Sequence, residues 1–191
     1  ARHTPVPFLS LLIEDCISRG RDYTAGGARY NTSYIQGVGL GTVTDSLSSL
    51  RCNVFERRLL DMPGLLALLA ADFQGAEALR RRILEETPRY GNDDEAADRI
   101  LERVFEIYYA AVDGRPNTRG GFHRINLLPT TVHVYFGSVT GATPDGRKAG
   151  TPLSEGISPV QGADRRGPTA VLRSAARIDH LRTGGTLLNQ K

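Results

Sequence analysis

Apolar side chains recur at helical spacing over much of the first 112 residues. Within residues 7–19 they lie three, four and eight positions apart, which predicts an amphipathic helix that ends at Gly20. Residues 62–112 continue this spacing in three pieces, which are separated at Gly75 and at residues 88–91. The pattern therefore predicts one helix near the start of the chain and three consecutive helices further on.

A glycine-rich stretch separates these helical regions. Residues 30–35 predict a short strand, and the glycines of Gly37–Gly41 predict the turn that leaves it. We expect the next helix to be capped by Thr44 or Asp45 and to run to about Glu56.

The spacing of apolar residues changes to two in the last third of the chain. From Ile125 to Phe136 apolar and polar residues alternate, so we predict an interior strand with two distinct faces. The faces would carry Val132, Val134 and Phe136 on one side, and Thr131, His133 and Tyr135 on the other. A helix over 168–177 and a final strand from Thr186 follow. Helices that alternate with isolated strands are typical of an α/β fold.

Composition and charge exclude several classes of protein. The chain has 191 residues, of which 40% are hydrophobic, so wholesale disorder is excluded. Its 24 basic and 21 acidic residues are interspersed, so we expect no nucleic-acid partner. There is neither a secretory signal nor a long apolar run, so we expect a cytoplasmic protein without a membrane partner. The two cysteines, Cys16 and Cys52, form no CxxC pair, and we expect two buried free thiols within helices.

Several stretches resemble functional motifs, but each has a simpler structural explanation. Gly37–Gly41 lacks the spacing of a dinucleotide-binding loop, which favours a tightly packed strand-to-helix turn. Asp93–Glu95 stands at a predicted helix start, where acidic residues complement the helix dipole, and this favours capping over a metal site. We interpret Arg80–Arg82 as a solvated helix face, His133 as a structural histidine and Pro144–Arg147 as a tight turn. The residues alone therefore assemble no catalytic set.

Sequence segments spread over the whole chain nevertheless resemble those of one known family. They are Gly27–Asn31, Asp45–Leu47, Tyr90–Asp94, Val134–Gly137, Thr140–Arg147, Gly150–Pro159 and Gly184–Gln190. Together they resemble the glycyl radical enzymes of the pyruvate formate-lyase-like superfamily. The dehydratases and lyases that act on hydroxyproline, glycerol or propanediol look nearest.

This resemblance implies an α/β fold, a ten-stranded barrel of two parallel five-stranded halves. The chain would supply much of the C-terminal half and its outer helices. The resemblance also implies a separate activating enzyme, which carries an iron–sulfur cluster, uses S-adenosylmethionine and removes hydrogen from a glycine. The radical passes to a cysteine, whose thiyl abstracts hydrogen from the substrate, while a neighbouring glutamate handles protons. The implied partners are the remainder of the polypeptide, the activating enzyme, a small-molecule substrate and, at full length, a second copy in a homodimer.

The residues that carry this chemistry are not found among the 191. Neither Cys16 nor Cys52 stands in the family's Cys-x-Glu loop, and the Arg-Val-Ser/Ala-Gly-Tyr radical motif is absent from the sequence. We expect the cysteine loop to precede Ala1 and the radical glycine to follow Lys191. Residues 1–191 would then be an internal segment of the barrel domain that lacks the cysteine loop and the glycyl radical domain. We therefore carry over no catalytic residue, no metal ligand and no bound cofactor, and we expect the segment alone to be inactive.

The resemblance carries a substrate-binding role to three residues. In the family, the segments that match Leu128–Thr131 and Ser158–Val160 approach the substrate. Thr130 would donate a hydrogen bond, while Leu128 and Val160 would wall the cavity. The alternative is that Thr130 satisfies a neighbouring backbone group and that the two apolar residues are plain core.

The functional expectation is a segment of a glycyl radical dehydratase or lyase. Such an enzyme abstracts hydrogen through a thiyl radical from a small polar substrate such as hydroxyproline or a diol. Two alternatives stay open: a pyruvate formate-lyase-type acetyltransferase, and a non-catalytic binding or assembly module derived from the barrel. The coding sequence on either side of the chain discriminates between the enzyme and the module.

Overall fold

Helices account for most of the regular structure in this computed structural model, which describes residues 4–190. The helices are α1 (Pro7–Leu12), α2 (Leu40–Ser49), α3 (Met62–Ala70), α4 (Glu77–Glu86), α5 (Glu95–Val112), α6 (Val132–Val139) and α7 (Pro168–Ala175). The strands are β1 (Thr32–Gln36) and β2 (Phe122–Asn126). Helix α2 continues into a π-helical segment at Leu50–Glu56, and short 3₁₀ turns lie at Tyr23–Ala25 and His180–Arg182.

The two strands pair in parallel although they are far apart in the sequence. The register places Thr32 opposite Phe122 and Gln36 opposite Asn126. A parallel pair requires a crossover connection, and here the chain crosses over through helices α2 to α5. The structure thus has the mixed helix-and-sheet character that the alternation of elements predicts.

A third extended segment follows the opposite edge of β2. The Gly184 amide donates to the Ile125 carbonyl at 2.9 Å, and Leu127 forms one parallel bridge with Thr186. The predicted final strand from Thr186 is therefore reduced to a single bridge within the described residues. The end of that prediction, Lys191, lies outside them.

The core lies where helix α5 packs against both α2 and β2. Its buried apolar side chains are Leu40, Tyr90, Leu101, Phe105, Ile125, Leu127, Ile157, Ala175 and Ile178. The three helices predicted over 62–112 are confirmed as α3, α4 and α5, and the helix predicted over 168–177 is α7, which ends at Ala175. Because Ile157 is part of the core, the loop-rich region after α6 is attached to these helices.

The predicted cap is wrong for α2 and confirmed for α5. Gly39 precedes α2 with a φ of +86°, a backbone conformation that favours glycine. The strand-to-helix turn is thus confirmed, but Thr44 and Asp45 lie inside the helix, fully buried, and do not cap it. The acidic run before α5 does cap, because the Asp94 carboxylate accepts from the Ala96 amide at 3.0 Å.

The first helix is shorter than its apolar spacing predicts. Helix α1 ends at Leu12, and Asp15, with a φ of +72°, interrupts any continuation. Three of the apolar residues that supported the prediction are exposed: Phe8 at 78%, Leu11 at 63% and Leu12 at 70%. Cys16 lies in the turn that follows and not in a helix, but Cys16 and Cys52 are both buried free thiols, as predicted.

The strand predicted from Ile125 to Phe136 is wrong beyond its first two residues. The chain is extended only to Asn126, and α6 begins at Val132. The residues predicted to form the two faces of a strand therefore do not form them: Thr131, Val132, His133, Val134, Tyr135 and Phe136. Alternation over so few residues does not distinguish a strand from a helix, and tertiary contacts decide. At Gly137 the helix packs so tightly that an added Cβ would lie 2.6 Å from Cα of Pro152.

Candidate functional site

The carboxyl ends of β1 and β2 meet at one edge of the sheet, where parallel sheets commonly bind ligands. We name residues 127–131, which follow β2, the strand-end loop. The Gly37 amide donates to the Asn126 carbonyl at 2.8 Å, and the Gln36 side-chain amide donates to the Leu128 carbonyl at 2.5 Å. Both bonds tie the end of β1 to the start of the strand-end loop, so the loop begins from a fixed position.

A second loop, which we name the cleft loop, covers residues 153–160 and packs directly on the strand-end loop. Gly156 has a φ of +49°, and an added Cβ there would lie 2.8 Å from the Leu127 carbonyl oxygen. The buried Tyr90 hydroxyl donates to the Ile157 carbonyl at 2.5 Å, and burial raises the pKa of Tyr90, so it stays a neutral donor. The two loops therefore share a close, anchored interface.

The cleft loop lines an open cleft of about 580 Å³. Val160 and His133 contribute to its wall, together with several ionisable residues: Arg80, Arg89, Asp145, Arg147, Lys148, Glu155, Asp164 and Arg165. Arg80 departs from the predicted solvated face, because its Nε donates to the Gly146 carbonyl at 2.7 Å. The predicted turn at Pro144–Arg147 is confirmed, since the Gly146 amide donates to the Thr143 carbonyl at 3.0 Å.

The three residues with an expected substrate-binding role do not share one cavity. Leu128 and Thr130 lie half-buried in the strand-end loop, outside the lining of the cleft, whereas Val160 lines it. Leu128 packs its side chain toward Gly185. No hydrogen bond joins the Thr130 hydroxyl to another group within residues 4–190, so it does not satisfy a neighbouring backbone group there.

His133 lies between the strand-end loop and the cleft loop. It stands in the first turn of α6, and its Nδ1 lies 2.5 Å from the Thr130 carbonyl oxygen. The same nitrogen lies 4.0 Å from Oε2 of Glu155, whose Oε1 accepts from the Asn189 side chain at 2.9 Å. Glu155 and Asn189 both lie in family-like sequence segments, but the sequence did not identify them as neighbours. The reason is that 34 positions separate them.

A buried network of polar side chains includes Arg89 and Asp145, which line the cleft, and holds them in place. Asp45 has no exposed surface and forms an ion pair of 3.4 Å with Arg89, which is also buried. The Asp45 carboxylate accepts from the Tyr90 amide at 2.9 Å, and Arg89 donates to the Asp145 carbonyl. Burial, opposed by Arg89, raises the pKa of Asp45 to about 7. The Thr143 hydroxyl donates to the Asp145 carboxylate at 2.5 Å. Three of the family-like sequence segments, those that contain Asp45, Tyr90 and Asp145, thus contribute to one hydrogen-bonded network.

The described residues show no donor set for a metal. No three side chains of His, Cys, Asp or Glu within residues 4–190 gather closely enough to hold an ion. Burial raises the pKa of the Cys52 thiol, which makes ionisation of this thiol less favourable. Over the same residues, no helix has the length and apolar character needed to cross a bilayer.

Two family models match the chain. The pyruvate formate lyase-like family matches residues 1–137, and the glycine radical family matches residues 153–191, which include the whole cleft loop. The strand-end loop falls within the first match.

Known proteins match over nearly the whole chain. The trans-4-hydroxy-L-proline dehydratase of Clostridioides difficile is 53% identical over 191 residues, which are 100% of this chain and 24% of the relative. The crystal structure of the hydroxyproline dehydratase from Clostridioides difficile, with trans-4-hydroxy-L-proline bound, superposes with a TM-score of 0.95 at 53% identity. It covers 98% of this chain and 24% of that one. The glycerol-bound form of the B12-independent glycerol dehydratase from Clostridium butyricum gives a TM-score of 0.92 at 40% identity, with the same coverage of 98% and 24%. The chain thus spans about a quarter of the length of these proteins.

Proposed function

Because the chain belongs to the pyruvate formate lyase-like family, we propose that it is a segment of a glycyl radical dehydratase or lyase. The observation that carries this proposal is the 53% identity to a hydroxyproline dehydratase over all 191 residues. The whole enzyme would abstract hydrogen through a thiyl radical from a small polar substrate such as hydroxyproline or a diol. An acetyltransferase of the pyruvate formate-lyase type is the alternative within the same chemistry.

The proposed architecture is much of the C-terminal half of a ten-stranded barrel together with its outer helices. The parallel pair of β1 and β2 and the TM-score of 0.95 support it. The alternation over 125–136 gives no support, because most of that segment is not a strand. Residues 1–191 would be one segment, with the cysteine loop before it and the radical-bearing glycine after it.

The proposed cofactor is a glycyl radical on a residue outside this chain, in keeping with the match to the glycine radical family. An activating enzyme with an iron–sulfur cluster and S-adenosylmethionine would install it. We propose a cytoplasmic homodimer at full length, without nucleic-acid or membrane partners.

The proposed substrate-binding residues are Leu128, Thr130 and Val160. Thr130 has a hydroxyl that no group of residues 4–190 engages, so it is free to donate to a substrate oxygen. Leu128 offers an apolar wall beside it, and Val160 offers one from the cleft loop. In this role the strand-end loop and the cleft loop would each contribute residues that contact the substrate.

One experiment tests the enzyme against the non-catalytic module. The matching quarter of the Clostridioides difficile dehydratase is replaced by this chain, and the chimaera is activated anaerobically with an activating enzyme and S-adenosylmethionine. We expect the electron paramagnetic resonance doublet of a glycyl radical and dehydration of trans-4-hydroxy-L-proline. The 191 residues alone, treated identically, should give no radical signal. A chimaera that folds and carries the radical but dehydrates no hydroxyproline or diol would count against the proposed function.

A further inference from the structure

We propose that His133 is a positioning residue for Thr130, a role that rests on the proposed function. The imidazole stands at the junction of the strand-end loop and the cleft loop, and it lines the cleft from the first turn of α6. It does not contact the part of Thr130 that would meet a substrate. Its contact is with the Thr130 backbone, at the carbonyl oxygen.

The geometry fixes which imidazole nitrogen carries the proton. Nδ1 lies 2.5 Å from the Thr130 carbonyl oxygen, and a carbonyl oxygen only accepts hydrogen bonds. Nδ1 is therefore the protonated nitrogen. The Glu155 carboxylate, at 4.0 Å from the same atom, is beyond hydrogen-bond distance and does not compete for it.

His133 is itself held from the other side. Its backbone carbonyl accepts from the Leu153 amide at 3.2 Å, which fixes the start of α6 to the cleft loop. The carboxylate of Glu155, which lies 4.0 Å from Nδ1, is itself bound by the Asn189 side chain. The cleft loop therefore fixes the position of His133, and the His133 ring in turn fixes the Thr130 carbonyl.

The orientation of the Thr130 hydroxyl depends on this bond. The carbonyl and the hydroxyl belong to the same residue, so a displacement of the Thr130 backbone moves both. With the Nδ1 donor in place, that displacement breaks a hydrogen bond of a partly buried carbonyl. A hydroxyl displaced by even about 1 Å binds and aligns a substrate less well.

Two substitutions separate the donor from the rest of the ring. In His133→Asn the side-chain amide nitrogen takes nearly the place of Nδ1, whereas in His133→Gln it reaches further, toward the place of Nε2. In the activated chimaera we expect His133→Asn to stay within about threefold of the parent in kcat/KM. We expect His133→Gln to lose about tenfold, mainly through KM, with an unchanged radical content per protomer.

A double variant identifies the route of the effect. In a Thr130→Ala background the hydroxyl is gone, so we expect His133→Gln to have no further effect on kcat/KM. Equal kcat/KM for the Asn and Gln variants would overturn the proposal, as would full additivity of His133→Gln with Thr130→Ala.

Failure of the proposed function is distinguishable from failure of this inference. If the parent chimaera carries the radical but turns over no substrate, the proposed function fails. The His133 contact is then tested by amide hydrogen exchange over residues 130–134. Faster exchange in His133→Gln than in His133→Asn supports the contact, and equal exchange in the two variants overturns it.

Discussion

At the residue scale, Asp45 couples proton binding to folding. Its pKa rises from 3.8 to about 7 because burial disfavours the charged form. Between these pH values the folded protein holds a proton that the unfolded chain has released, so the free energy of unfolding falls as pH rises. At about 1.4 kcal/mol per pKa unit, the loss between pH 4 and pH 7 is on the order of 2–4 kcal/mol.

Asp45→Asn should flatten this pH dependence. The amide oxygen still accepts from the Tyr90 amide, but it does not ionise. Above about pH 7 the variant is less stable than the parent, because it leaves the buried Arg89 without a carboxylate. At lower pH the amide replaces a protonated carboxyl, so the two proteins differ less in stability. The measurement is denaturant unfolding from pH 4.5 to 7.5, with the exposed Glu85→Gln as control. A slope in Asp45→Asn as steep as that of the control would contradict the assignment of the titration to Asp45.

The Thr130 hydroxyl gives the second prediction at this scale. Thr130→Ala removes one hydrogen bond to a substrate, which is worth about 0.5–1.5 kcal/mol, or more to a charged oxygen. We expect a loss of about tenfold in kcat/KM in the activated chimaera. Thr131→Ala is the matched control, because Thr131 is exposed and makes no side-chain cap bond. If both variants behaved alike, Thr130 would have no special role.

The candidate site could be predicted only in part, and the reason lies in single residues. The phrases around Thr130 and Val160 could be recognised in the sequence. Their different placement, one in the strand-end loop and one in the cleft wall, could not. His133 approaches both Thr130 and Glu155 because it lies in α6, and the alternating pattern wrongly predicted a strand there. Contacts between distant segments leave no spacing signal in a single sequence.

At the element scale, local signals succeeded and short ambiguous ones failed. Helices α3 to α5 were predictable because caps, breaks and apolar spacing all fall within each helix. Helix α6 was not, because its valines favour a strand and the contacts that favour the helix come from distant residues, among them the packing of Gly137 against residues 151–153.

Gly137→Ala tests that explanation. An added methyl group would meet the backbone of Pro152 at 2.6 Å, so the cleft loop or α6 must shift. We expect a loss of about 1–3 kcal/mol in unfolding free energy, as for other overpacked sites. Gly141→Ala is the control, because nothing lies within 4 Å of its Cβ position. Equal stability of the two variants would mean that this close approach does not hold α6.

At the scale of the whole molecule, apolar side chains remain exposed on several helices, among them α1 and α6. On α6, Tyr135 and Val139 are 65% and 69% exposed, and α1 exposes Phe8 and Leu12. Exposed apolar patches of this kind favour association. We expect the isolated 191 residues to form oligomers or aggregates, or to have low stability, with α3 to α5 exchanging their amides slowest.

Sedimentation and hydrogen exchange check this expectation. The double change Tyr135→Ser with Val139→Ser should reduce association, whereas Leu181→Ser, at an exposed leucine outside α6, should not. A monodisperse monomer with uniform protection up to Gln190 would mean that these residues close their own core.

The long crossover between β1 and β2 has a consequence for synthesis on the ribosome. Thr32 emerges roughly ninety residues before its partner Phe122. At about 5–20 residues per second, β1 waits on the order of ten seconds with both edges unpaired. The intervening helices form from near neighbours in the meantime, so the nascent chain is helical before it has a sheet. Residues 32–36 therefore expose unpaired backbone amides and carbonyls during this interval, which favours pairing with other extended segments.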